Sequence, residues 1–294
     1  MSSSAKCSAT RIQTAASPRG WLASIVYDVL DDYIVHASFH RYLASERSAA
    51  LDHLKNLEAL NIYQDSIVIF DRGYYSEDFF RYCVDNGHLC LMRLKESIKL
   101  SKRCNGDSRC TLPGNETKGT EDLEVRVIEV ILDDGSKEYL ATNVFDSAIK
   151  KEMFCELYFY RWPVETKYLE LKQRLQIESF NGATTTSVFQ EFYLNMLLSN
   201  LASLIKDHAD EEIEANHKPA NKFRYQANRS FVIVQFKKIL PRILCGMLNL
   251  GDALDFLLST AIRNRSQIQP GRSSRRKRNK AKGRTHFNNS KAAF

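Results

Sequence analysis

The chain has 294 residues, 44% of them hydrophobic, room for one large core or two small ones, with a formal net charge of +7. No apolar run approaches the ~20 residues of a transmembrane helix, and the polar start MSSSAKCSATRIQTAASPRG lacks the apolar stretch of a secretory signal; both argue against membrane insertion and export. Seven scattered cysteines, an odd number, suit free thiols in a reducing compartment, so a cytoplasmic location is expected rather than a disulfide framework.

Residues 1–20 are polar and are expected to be disordered. WLASIVYDVL and YIVHASF read as two strands of a hairpin turning at Asp31-Asp32. A helix follows over SERSAALDHLKNLEALN, with Ser45 as its N-cap. Ile67 to Phe70 form a short all-apolar run, the mark of a strand buried on both faces, and Asp71 stands at its carboxyl end. Ser76 caps a helix running to about Asn86, Gly87 suits its C′ position, and HLCLMRL returns as a strand. Residues 95–120 turn polar and Gly-rich, and the gap between Cys104 and Cys110 is wider than a zinc knuckle uses. LEVRVIEVILDDGSKEYLATNV reads as two strands about an Asp-Asp-Gly turn, so a β-rich insertion is placed at about 95–145.

LYFYRWPVETKYLELKQRL is read as one helical segment. At about 100° per residue, Tyr158, Arg161, Glu165 and Lys172 fall within an arc of about 60°. Tyr168, Leu171 and Leu175 form the adjoining core stripe, so Glu165 and Lys172 border it. Val188 to Ile205 suits a buried helix, and NRSFVIVQFKKILPRIL another, stopped or kinked at Pro241. The core is therefore drawn at 21–262 and a basic tail at 263–294. From Arg263 onward there are eleven Lys/Arg and no acid, and the first twenty residues add three cations. The remaining 28 cations face all 35 acids, so the body between is net negative by 7. The tail, including Arg275, Arg276, Lys277 and Arg278, is expected to be disordered and to contact a polyanion.

Asp71 and Glu165, on a strand end and a helix, are hard oxygen donors suited to Mg²⁺ (or Mn²⁺). Two such ions can flank an in-line displacement at phosphorus. Arg161 and Lys172 can grip phosphates, one through a planar fork and one as a point charge. The same residues also suit an ordinary exposed helix and an aspartate capping a turn. Residue chemistry leaves both readings open.

The spacing Y-x2-R-x3-E-x6-K, present as Tyr158, Arg161, Glu165 and Lys172, resembles the signature of the IS4-type transposases. IVIFDRGYYS is similar to that family's second-aspartate segment, LASIVYDVLDDYIVHA to its first hairpin, and QEFYLNMLLSNLASLI to a later helix. The resemblance runs from about Trp21 to the C-terminus. It implies an α/β fold: a ribonuclease-H-like mixed sheet flanked by helices, with a β-strand insertion and an all-helical C-terminal part. It also implies metal-dependent cleavage and transfer of double-stranded DNA at transposon ends, with Asp71 and Glu165 as two of three metal-holding carboxylates. Tyr158, Arg161 and Lys172 would then contact DNA phosphates, in a homodimer or a mixed dimer with an intact transposase.

One departure matters. The family's first aspartate lies on the core's first strand, and no Asp or Glu precedes Asp28 here. The resemblance thus implies a chain begun after its first strand, impaired in catalysis. A non-catalytic DNA-binding protein that interferes with an intact transposase is the competing expectation.

Overall fold

The structure is a computed structural model describing residues 5–14, 17–41, 44–62, 66–132, 134–182, 184–218 and 221–269, with backbone alone for 5–14, 17–20 and 41. Arg275, Arg276, Lys277 and Arg278 lie outside the described residues. Contacts divide the chain into one unit built mainly on Arg19–Leu169 and a second from Glu170 onward.

The first unit holds β1 (Ala5–Thr14), β2 (Ser17–Asp28), β3 (Tyr33–Arg41), β4 (Ile67–Phe70), β5 (Leu89–Leu94), β6 (Asp107–Leu112), β7 (Leu123–Ile131) and β8 (Lys137–Thr142). Among the described residues they form one sheet in the order β3-β2-β1-β4-β5-β8-β7-β6. β1, β4 and β5 run parallel, whereas β2–β3 and β5–β8 are antiparallel. Its first five strands have the ribonuclease-H-like order. The β-rich insertion, β6 to β8, is no separate layer: it extends the same sheet beyond β5.

Three helices of this unit flank the sheet: α1 (Glu46–Leu60), α2 (Glu77–Asp85) and α4 (Lys151–Phe159), with the short α3 (Lys99–Arg103) between the last two in sequence. Ser45 and Ser76 cap α1 and α2 as expected, each accepting a bond from an N3 amide. Alternation along β4 explains why the strand is apolar throughout. Val68 and Phe70 join the core shared with α1 and α2, and Ile67 and Ile69 join the core under α4. By the same period Asp71 follows Ile67 and Ile69 toward the α4 side.

Two expectations are corrected in the first unit. Residues 1–20, read as a disordered lead, contain β1, which stands between β2 and β4 where the first core strand belongs. Without it the facing backbone groups of β2 and β4 would be unpaired edges, so strand pairing recruits a polar segment that side-chain patterning does not identify. The expected single helix over 157–175 is two, α4 and α5 (Pro163–Gln173). Pro163 lacks the amide hydrogen needed inside a helix and suits the first position of a new one. The intervening turn is closed by bonds from the Arg161 amide to the Tyr158 carbonyl, 3.0 Å, and the Trp162 amide to that of Phe159, 3.1 Å.

The second unit carries α6 (Thr185–Ala215), α7 (Arg229–Leu244) and α8 (Leu250–Arg263). It is not wholly helical. β9 (Tyr225–Ala227) pairs antiparallel with β10 (Arg265–Gln267), so the first residues of the expected disordered tail are ordered by a strand partner. α7 continues through Pro241 to Leu244 rather than stopping there. Glu170 of α5 accepts from Arg229 Nε at 2.5 Å, and Arg229 also donates to the Ser199 carbonyl and the Ser203 hydroxyl. Among the described residues, no helix is long and apolar enough to cross a membrane.

Candidate functional site

Asp71 leaves the carboxyl end of β4 in a turn closed by the Tyr74 amide donating to its carbonyl at 3.0 Å. The Arg72 amide donates to Asp71 Oδ1 at 2.7 Å, and the Tyr158 hydroxyl, arriving from α4, donates to the same oxygen at 3.2 Å. Arg161, on the turn between α4 and α5, lays Nη1 3.6 Å from Asp71 Oδ2 and 2.8 Å from Glu165 Oε1. The guanidinium side chain is only 10% exposed, whereas the two carboxylates are 44% and 50% exposed. Its central carbon stands 4.5 Å from the Trp162 ring centre and 5.9 Å from that of Tyr158, distances at which ring faces attract a cation.

The electrostatics follow. Burial by itself would raise the Asp71 pKa, but the Arg72 amide, the Arg161 charge, the Tyr158 hydroxyl and Arg93 together hold it below the ordinary carboxylate value. Tyr158 is shifted upward, chiefly by burial and then by the Asp71 charge, so its hydroxyl stays a donor.

Four expected site residues, Asp71, Tyr158, Arg161 and Glu165, thus meet in the first unit. They do so through the α4–α5 turn rather than along one helix face. Lys172 belongs to the second unit and pairs with Glu178 at 2.9 Å. Sequence reasoning missed Arg93 of β5 and Glu138 of β8, whose charged atoms stand 2.5 Å apart. They line a cavity of about 580 Å³ with Tyr158, Phe159, Arg161 and Trp162. An arginine within an otherwise apolar strand was the available signal, because a cation partly withdrawn from water favours a partner.

The oxygen donors of Asp71 and Glu165 converge on one cationic nitrogen, so they suit a hard divalent ion in kind, and these two residues would hold it. Such an ion, when bound, would polarise phosphate oxygens. Among the described residues, no group of three or more His, Cys, Asp or Glu side chains is placed to hold a metal ion. β1 runs parallel beside β4, with Lys6 level with Ile69. The strand's sequence AKCSATRIQT contains no acid.

A search of curated proteins returns no match. Among solved structures, similarity extends over 92% of this chain to the piggyBac transposase synaptic complex with hairpin DNA, at 9% identity and a TM-score of 0.47. This chain spans 59% of that one. Endonuclease V of Ciona intestinalis, in complex with a 24mer DNA containing an inosine followed by a ribo-adenosine, aligns over 57% of this chain and 87% of its own, with 10% identity and a TM-score of 0.28. Endonuclease V of Bacillus subtilis aligns over 59% and 84%, with 13% identity and a TM-score of 0.28. Residues 9–201, about two thirds of the chain, match the family described as transposase DDE domain, a span that includes β4, α4, α5, Asp71 and the three residues gathered around it. The chain belongs to the DDE-domain transposase family.

Proposed function

We propose that the chain is an IS4-type transposase that binds double-stranded DNA at transposon ends, with strand cleavage impaired. The observation that carries this reading is the convergence of Asp71, Tyr158, Arg161 and Glu165 on one half-exposed point within the span that matches the family. Tyr158, Arg161 and Lys172 are assigned to DNA phosphates. Arg275, Arg276, Lys277 and Arg278 add charge-dependent contacts that carry no sequence information. Asp71 and Glu165 are assigned to a divalent ion, Mg²⁺ or Mn²⁺. Impairment follows from β1, whose sequence offers no carboxylate beside Asp71. That same observation favours a second role for the intact fold: occupying DNA ends, alone or in a mixed dimer with an intact transposase, and so lowering transposition.

The test is binding of an end duplex by the full chain over a salt series, followed by incubation with Mg²⁺ or Mn²⁺. Binding should weaken steeply with salt, and removing Arg272 to Arg284 should flatten the log–log slope by about 0.9 per lost phosphate contact. The duplex should remain uncut. A slope unchanged by the deletion would remove the tail from the interface, and efficient cleavage would refute the impairment.

A further inference from the structure

Arg161 faces two incompatible demands. In the free protein its Nη1 is shared between Glu165 and Asp71, and its side chain is almost wholly covered. As a phosphate contact it would have to present that same fork to DNA. The lone pairs it engages are also those that a divalent ion would need. Two cations at these oxygens compete for the same acceptors and repel each other at short range, so each weakens the other's hold.

The surroundings allow the guanidinium to leave. Both carboxylates are open to solvent on their outer sides. The cavity beside Arg161 is lined by Trp162 and Phe159, and these rings are themselves exposed. A guanidinium displaced from the pair would therefore keep aromatic faces within reach while its fork turns to a new anion.

We propose that Arg161 is a displaceable counter-ion: it closes the Asp71–Glu165 pair in the free protein, and a DNA phosphate draws it away and opens the pair to a hard divalent cation. The inference rests on the DNA-binding reading and adds a regulation to it. DNA and cation affinity are coupled with positive sign, and linkage makes the coupling reciprocal. Couplings of this kind span about 5- to 150-fold.

The experiment titrates Mn²⁺ into the full chain and reads free Mn²⁺ by electron paramagnetic resonance, with circular dichroism to establish folding. R161Q should bind Mn²⁺ about tenfold more tightly than the wild type without DNA, a change at the low end of that range. Adding E165Q to R161Q should abolish the gain, which assigns it to this pair. An end duplex should tighten Mn²⁺ binding by the wild type more than by R161Q; the ions held by DNA itself are common to both and cancel. Equal Mn²⁺ affinity in folded wild type and R161Q overturns the proposal. So does a duplex that binds yet affects both proteins alike, an outcome that leaves the DNA reading standing. A duplex that fails to bind removes the DNA reading instead, while the comparison without DNA still decides whether Arg161 closes the pair. Should R161Q not fold, R161K replaces it: one ammonium cannot reproduce the fork, so a smaller gain is expected, and wild-type affinity would overturn the proposal.

Discussion

Two polar clusters in the first unit lie against the same sheet and follow opposite rules. Beneath α1, His53 is fully buried; its Nδ1 stands 2.6 Å from His36 Nδ1, and its Nε2 lies 2.9 and 3.2 Å from the hydroxyls of Ser24 and Ser38. His40 completes the chain of contacts through Ser38 at 2.8 Å. The partners of His53 itself, His36, Ser24 and Ser38, are neutral when the rings are neutral, and burial, then His36 and His40, push the His53 pKa down to about 3. At the end of β4, by contrast, opposite charges meet at the surface and one carboxylate is held ionised. His53 is shut off from solvent with its bonds made inside the cluster, and His36 and His40 cover it from the partly exposed side, so it reads as architecture. The Asp71 cluster keeps half-exposed charge that a ligand can reorganise. Burial with complete pairing marks the one, and exposure with competing pairings marks the other.

That contrast is sharpened first by His53→Ala. It removes a buried ring together with its bonds to the Ser24 and Ser38 hydroxyls, and should cost about 3 kcal/mol in urea unfolding. A cost near zero would erase the distinction. Next comes pH. Because His53 is a base whose folded pKa lies below its unfolded value, the unfolded chain binds the extra proton between about 6.5 and about 3. Stability should therefore fall as pH falls through that window, by up to about 1.4 kcal/mol per unit for one proton. His36, also lowered by burial and by His40 against the pull of Asp52, adds in the same direction. The slope should shrink in a folded His53 variant. The smallest effect belongs to Tyr158→Phe, which removes one bond to Asp71 and should cost about 1 kcal/mol or less at this half-exposed site.

Much of this was legible in the sequence. Ile67 to Phe70 announced a strand buried on both faces, with Asp71 at its carboxyl end. Ser45 and Ser76 fixed two helix starts through chemistry local to each residue. The misses share a cause. β1 is polar, and its strand conformation comes from backbone pairing with distant neighbours, which side-chain periodicity does not report. β6 is likewise an edge strand of polar residues, DSRCTL, held by β7. The α4–α5 break was signalled by Pro163, but a helical wheel drawn from Tyr158 to Lys172 passed over it. The four residues still converge because the turn lets Arg161 reach back to Asp71 and forward to Glu165. Glu138 lies far from Arg93 in sequence, and only the β5–β8 pairing brings them together.

The central claim, that Arg161 binds Asp71 and Glu165 into a single charged site, is tested most directly by carbon-detected NMR titration of the Asp71 carboxyl in wild type and R161Q. Asp71 should titrate below the ordinary aspartate range in the wild type and move upward in R161Q, as the loss of a neighbouring cation requires. An Asp71 titration that ignores the substitution would mean that the guanidinium is not its partner, and the shared site would not exist.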